Sequence, residues 1–258
     1  HLSLRRQRQM CIRDRCETMA DLAIFEMAME TGAHVHIAHS SLARGLDLAE
    51  MFRNQGAKTS GEVCIQYLCM TEDDLVRLAG FGKCNPPFRT AEEVERMWGV
   101  LAAGKIAYVS TDHAPWGRSK KVYDGDIFAC GAGLTGMQSF APLMATLLLE
   151  RGLPMSLMAS LCAERPAKFH GLYPKKGAIR LGFDADLCVL ERGDFIFDEA
   201  DIQDREDAKW SPYHGRAMRA RVAATYLRGA KIWDGQSVLA GPGTGQFVPR
   251  QHREQFWA

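Results

Sequence analysis

Two polar side chains follow predicted β-strands, at the positions where an α/β protein usually keeps its chemistry. His39 comes directly after the strand-like residues 35–38, and Asp112 comes just after the strand-like residues 106–110. Neutral imidazole is the commonest metal-binding side chain. A carboxylate can bind a divalent ion and also take a proton from the water that the ion acidifies. Either residue alone is better explained as a satisfied polar group at a strand end, so the metal site is a hypothesis that needs further support.

Two other patterns are weaker candidates. The HxH pair of His34 and His36 lies inside a predicted strand rather than at its end, which favours structural roles. Residues 131–136 (GAGLTG) have the spacing GxGxxG, but residues 124–128 predict no clear strand before them and Glu150 ends a helix. We therefore interpret this segment as a loop whose backbone groups approach a ligand closely, and not as a dinucleotide site.

The composition is that of an ordinary globular protein. The chain has 258 residues, of which 47% are hydrophobic and 24% are charged. No stretch reaches the roughly 20 apolar residues that a membrane span needs. The formal net charge is +1, but residues 1–15 carry five Arg against one Asp, so the remainder is slightly acidic and offers no basic stripe for nucleic acid. Eight cysteines are scattered without a disulfide pattern, which predicts a reducing, cytoplasmic location.

Helix-period and strand-like segments alternate between residues 17 and 110. This order predicts a parallel sheet, either a closed (β/α)8 barrel or an open doubly wound sheet. The predicted strands are 35–38, 59–64 and 106–110, and the predicted helices lie around 22–29, 46–52, 72–78, 91–102, 137–150 and 154–169. A second, antiparallel β unit is predicted after residue 171, with strand-like runs at 177–179, 186–190, 195–197 and 221–233.

Residues 1–15 differ from the rest of the chain. The run MCIRD with its following Arg back-translates to a sequence that resembles a transposase adapter used in sequencing libraries, and the segment lacks the apolar region of a targeting peptide. We therefore expect residues 1–15 to be an adapter-derived, non-native segment and the native chain to begin upstream of it.

Six segments occur in the order known from one protein family. They are HIAHSS (36–41), GEVCIQYL (61–68), KCNPPFR (83–89), STDHAP (110–115), PAKFHGL (166–172) and GAIRLGFDADL (177–187). With them the chain resembles the C-terminal half of a cyclic amidohydrolase, the group that contains hydantoinases, dihydropyrimidinases, allantoinases and dihydroorotases. The similarity runs from residue 17 to residue 250.

The resemblance implies a fold and a site. The implied fold is α/β, with the C-terminal part of a (β/α)8 barrel over residues 16–172 and part of a small β-sandwich with a C-terminal tail over residues 173–258. By resemblance His39 is a metal ligand after the sixth strand, and Asp112, after the eighth strand, is both a ligand and the general base. In relatives two divalent ions, commonly zinc, are bridged by a hydroxide and a carboxylated lysine. The positions that resemble substrate contacts, largely through backbone groups, are Asn85, Cys130, Gly131 and Leu134.

The other ligands of the family are an HxH pair, a lysine and a further histidine, and all of them would precede residue 17. We therefore expect the chain to be an N-terminally truncated fragment that is inactive alone, because a metal with so few protein ligands is held weakly. The expected partner is a small cyclic amide, and oligomers are common among such relatives. Residues 85–87 and 112–115 favour dihydroorotate, residues 124–128 favour a hydantoin, and residues 210–216 favour allantoin. The alternative function is a non-catalytic relative that acts as a binding or assembly protein.

Overall fold

The computed structural model describes residues 2–250, and it describes side chains from residue 15 onward. The side chains of most of the predicted adapter-derived segment, and the last residues of the predicted tail, therefore lie outside the described part. The helices are α1 (Leu2–Thr31), α2 (Ala43–Asn54), α3 (Glu72–Leu78), α4 (Ala91–Ala102), α5 (Met137–Glu150), α6 (Ser156–Ala159) and α7 (Arg165–Phe169). The strands are β1 (His34–Ile37), β2 (Lys58–Gly61), β3 (Val63–Cys64), β4 (Val109–Ser110), β5 (Leu187–Ile196), β6 (Ala217–Leu227) and β7 (Ala230–Trp233).

The chain forms two compact units. The first comprises the chain up to Asp112 together with Lys121–Gly133, and the second comprises His113–Lys120 and the chain from Leu134 onward. No helix among the described residues combines the length and the apolar character that crossing a membrane requires.

Parallel strands form the centre of the first unit. β1 pairs with β2 in parallel, and β3 pairs with β4 in parallel. Only Glu62 separates β2 from β3, and its backbone continues the pairing with the end of β1. The N–H of Glu62 donates to the carbonyl of Ile37, and the N–H of Ser40 donates to the carbonyl of Glu62, each at 3.0 Å. Residues 58–64 therefore act as one middle strand between β1 and β4, as a β-α-β order requires.

Helix α4 has the predicted bounds, whereas α2 has the predicted apolar face but extends beyond the predicted range 46–52 at both ends. Phe52 of α2 packs on Phe25 of α1 with ring centroids 5.7 Å apart, in a buried cluster with Ala49. α4 begins after Thr90, whose side chain accepts a hydrogen bond from the nitrogen of Glu93 at 3.3 Å. Such a cap satisfies one of the amide donors that a helix start leaves open.

The predicted strand 106–110 is shorter in the structure than in the sequence pattern. Only Val109–Ser110 is regular strand. The preceding residues still bond to the middle strand, from Ala107 N to the oxygen of Gly61 at 2.9 Å and from the nitrogen of Val63 to Tyr108 O at 3.3 Å. The hydrogen bonds therefore continue the pairing back to residue 107, although only Val109–Ser110 has regular strand geometry.

The second unit contains an antiparallel sheet in the order β5-β6-β7. β6 and β7 are joined by a two-residue turn at Arg228 and Gly229, both with positive φ, which matches the twist of a hairpin. The predicted strand at 195–197 is the end of the long strand β5. The predicted strand at 177–179 is wrong, because Gly177 has a φ of +97° and turns the chain, and Ile179 is 88% exposed.

The predicted helix around 154–169 is present but uneven. Between α6 and α7 the residues Ser160–Glu164 form a wider π-helical turn. Pro166 explains the change, because proline has no amide hydrogen for the carbonyl four residues earlier and its ring collides with that carbonyl.

Candidate active site

The two predicted metal ligands share an unusual backbone conformation. His39 lies two residues beyond β1 with a φ of +43°, and Asp112 lies two residues beyond β4 with a φ of +44°. Left-handed backbone at a non-glycine residue is sparsely populated and concentrates at functional sites. Because β1 and β4 flank the middle strand of residues 58–64 in parallel, both residues lie at its carboxyl edge, where such sheets place their sites.

The side chain of His39 fits the role of a metal ligand. It is half-buried, and its Nδ1 atom is buried without a hydrogen-bond partner in the part of the chain that the structure describes. The backbone N–H of His39 donates to Oε1 of Glu62 at 3.3 Å. A buried ring nitrogen that lacks a donor or acceptor is destabilising unless something else binds it, and a metal ion is one such group.

Asp112 is exposed, and burial, together with the negative charge of Asp112, raises the pKa of two thiols, those of Cys64 and Cys84. Burial raises the pKa of Cys84 to about 12, with Asp112 contributing in the same direction. Burial likewise raises the pKa of Cys64, helped by the charges of Glu62 and Asp112. Both thiols therefore stay protonated at neutral pH. No group of three or more His, Cys, Asp or Glu side chains among the described residues is arranged to hold a metal ion.

A buried ionic network holds the loop that follows His39. Glu17 accepts from the backbone N–H of Ser41 at 2.9 Å and from its hydroxyl at 2.6 Å. The guanidinium of Arg89 donates to Oε2 of Glu17 at 2.6 Å and to Oγ of Ser41 at 2.9 Å. Arg89 is only 9% exposed, so water screens these contacts little. Ser41 and Arg89 belong to quoted motifs, but nothing in the sequence identified their pairing or the part played by Glu17.

Asn85 lies on a segment that is fixed from both sides. Its side chain is exposed, whereas Cys84 before it is buried. The carbonyl of Pro86 after it accepts from the hydroxyl of Tyr67 at 2.6 Å and from the thiol of Cys84 at 3.2 Å. The segment therefore presents Asn85 outward from an anchored backbone.

The structure places Cys130 and Gly131 beside the segment that carries Asn85. Nζ of Lys83 donates to the carbonyls of Cys130 at 2.6 Å and of Phe128 at 3.0 Å, and the backbone N–H of Gly133 donates to Lys83 O at 3.0 Å. In the first unit, five of the predicted site residues thus lie in two neighbouring regions, His39 and Asp112 at the sheet edge, and Asn85 with Cys130 and Gly131.

Leu134 belongs to the second unit, where it is buried and its carbonyl accepts from Ala114 N at 2.8 Å. In the same unit Nδ1 of His113 accepts from the backbone N–H groups of Gly136, at 3.0 Å, and Met137, at 3.3 Å. These are the amides at the start of α5 that a dinucleotide phosphate would need. The side chain of His113 therefore caps the start of α5 at the end of the GxGxxG segment.

A sequence profile of the amidohydrolase family matches residues 5–221. The chain belongs to the amidohydrolase family. The resemblance predicted from the six motifs is thereby confirmed.

Among its relatives, this amidohydrolase chain is 38% identical to an allantoinase of Rubrobacter xylanophilus over 89% of its length and 50% of the relative. It is 34% identical to a dihydroorotase of Halobacterium salinarum over 84% of its length and 49% of the relative. The solved structure of an L-hydantoinase from Arthrobacter aurescens superposes with a TM-score of 0.84 at 30% identity, covering 91% of this chain and 52% of that one. The predicted α/β fold class is confirmed, and the chain spans about half the length of the curated relatives it matches.

Proposed function

We propose that the full-length protein hydrolyses the C–N bond of a cyclic amide of the allantoin, hydantoin, dihydropyrimidine or dihydroorotate type. The observation that carries the proposal is the pairing of His39 and Asp112. Both follow strands of one parallel arrangement, and both hold a left-handed backbone, which non-glycine residues adopt rarely and which is enriched at functional sites. The named relatives, an allantoinase, a dihydroorotase and an L-hydantoinase, support cyclic amides as the substrate class.

In this proposal His39 and Asp112 are ligands of divalent metal, with zinc as the expected element and a second ion and a carboxylated lysine completing the site. A divalent ion, when bound, polarises the ring carbonyl and acidifies the attacking water. Asp112 takes a proton on its carboxylate as general base and can return it to the nitrogen of the opened ring. His39 contributes its unpartnered Nδ1 atom to the metal.

Substrate binding falls to Asn85 and to the backbone of Cys130 and Gly131 in the first unit, and Leu134 stays a predicted substrate contact. Backbone N–H and C=O groups are suited to a cyclic amide, because the N–H of the ring needs an acceptor and its C=O needs a donor. The firmly bonded segments around Asn85 and Cys130 favour a preformed site for a small rigid ring. The cytoplasmic location and self-association stay predictions.

The test is a ring-opening assay on allantoin, hydantoin, dihydrouracil and dihydroorotate with the full-length protein. Asp112→Asn is expected to lower kcat/KM by about a hundred-fold or more, because the amide cannot act as general base. Asp73→Asn, which changes an exposed acid of α3 in the same unit, is the matched control and should leave kcat/KM unchanged. Dialysis against a chelator should abolish activity, and added zinc should restore it.

Two results would count against the proposal. Hydrolysis that survives Asp112→Asn would refute the assigned base, and hydrolysis that survives metal removal would refute the metal mechanism. A wild-type protein that opens none of the four rings would leave the non-catalytic binding role as the better reading.

A further inference from the structure

Lys121 is a buried lysine in the first unit that the chemistry described above does not use. Its side chain is 0% exposed, which is rare for lysine unless its charge is satisfied. Its sequence position, beside the exposed Lys120, gives no hint of this burial.

The ammonium of Lys121 donates to three backbone carbonyls. The oxygen of Lys83 lies 3.0 Å from Nζ, that of Gly131 lies at 2.8 Å and that of Gly133 at 2.9 Å. An ammonium carries three donor hydrogens, and three carbonyls accept here. The partners belong to two chain segments, so one side chain joins residue 83 to residues 131–133.

Other contacts also connect residue 83 to residues 130–133. Gly133 N bonds to the carbonyl of Lys83, and Nζ of Lys83 bonds to the carbonyl of Cys130. A Cβ atom on Gly80 would overlap the carbonyl oxygen of Lys121 and lie 2.9 Å from Sγ of Cys130. Glycine at position 80 therefore lets the backbone of Lys121 approach closely.

The charge state of Lys121 agrees with this bonding. Burial lowers its pKa to about 8, and the neighbouring thiols of Cys84 and Cys130 oppose that shift while the charge of Lys83 adds to it. The amine is thus mainly protonated at neutral pH, as three accepting carbonyls require.

We propose that Lys121 is a positioning residue for substrate binding, which holds the loop of residues 130–133 against the segment that carries Asn85. The inference rests on the proposed function, because it gives the joined segments the task of contacting the cyclic amide. Lys121 itself touches neither metal nor substrate in this proposal.

The test compares Lys121→Met, which keeps an unbranched apolar chain but removes the three donors, with Lys120→Met as the matched control. In the first variant, amide hydrogen exchange over residues 122–133 should become about ten-fold faster, while exchange in α4 should stay unchanged. In the active full-length protein, KM should rise about ten-fold and kcat should change less than about three-fold, because binding and not the chemical step is disturbed. Lys120→Met should alter none of these quantities.

Gly80→Ala provides a second route if Lys121→Met folds poorly, because it displaces the backbone of Lys121 without removing the charge. It should also speed exchange over residues 122–133 and raise KM. Unchanged exchange in both variants would overturn the join, and faster exchange with an unchanged KM would overturn the positioning role. An inactive wild-type protein is a separate result, since it would remove the proposed function itself and the role of Lys121 with it.

Discussion

Replacing Asp21 by Asn is expected to stabilise the first unit at neutral pH. Asp21 of α1 is 5% exposed, and its Oδ2 atom has no hydrogen-bond partner among the described residues. The facing residue of α2 is Gly45, where a Cβ atom would lie only 2.5 Å from that oxygen. A buried, unpaired carboxylate is unfavourable, because its charge has lost water and gained no partner.

The magnitude follows from the pKa of Asp21. Burial raises it from 3.8 to about 6, and the negative charge of Glu17 one turn earlier adds to the shift. A folded-state pKa above the unfolded value means that the group favours folding fully below the unfolded pKa and loses that contribution as pH rises to the folded pKa. The difference corresponds to roughly 3 kcal/mol at pH 7, of which an amide that is itself unpaired should recover about 1–3 kcal/mol.

The assay is urea denaturation followed by far-UV circular dichroism, on the wild type and on Asp21→Asn at neutral and acidic pH. The variant should be more stable at neutral pH, and the two proteins should converge once the pH falls below the unfolded pKa of the carboxyl. Asp124→Asn, at an exposed acid, should follow the wild type throughout. An Asp21→Asn variant with no gain at neutral pH, or with a gain independent of pH, would show that the burial argument is wrong.

Three further predictions concern stability and reactivity. Arg89→Met should lower the free energy of unfolding by about 3–5 kcal/mol in urea titrations, since it leaves the carboxylate of Glu17 buried without its cation. Gly177→Ala should lower it by about 1–3 kcal/mol, because φ is +97° and the new Cβ would lie 2.6 Å from that of Ala167. The Cys64 thiol, buried and with a raised pKa, should resist iodoacetamide in native protein and react after denaturation, as mass spectrometry of its peptide would report.

Local patterns in the sequence predicted where the helices lie, and three of them to the residue. α3, α4 and α5 begin and end at the predicted residues, because apolar spacing and caps such as Thr90 act within a few residues. The strands were harder, since a strand is regular only where its partner is. Residues 106–110 have a strand-like pattern, but only Val109–Ser110 is regular strand, because regular geometry depends on the partner strand and not on this segment alone.

The site could be predicted only in part for the same reason. The chemistry of His39 and Asp112 is visible in their types and in their places after strands, and those remain the proposed ligands. The pairing of Glu17 with Arg89 joins residues 72 positions apart, and the burial of Lys121 contradicts what its type suggests. Contacts of this kind arise from tertiary packing, so neither spacing nor composition reveals them.

The left-handed backbone at His39 and Asp112 sets stability and activity against each other during selection. Glycine adopts this conformation without strain, so replacing either residue by glycine should relieve about 1 kcal/mol or more of backbone strain while removing a proposed ligand. In a randomised library screened for folding alone, both positions should drift toward glycine or asparagine. In the same library screened for turnover, they should stay His and Asp, so the contrast between the two screens would separate functional from structural constraint at these positions without any knowledge of the substrate's binding mode.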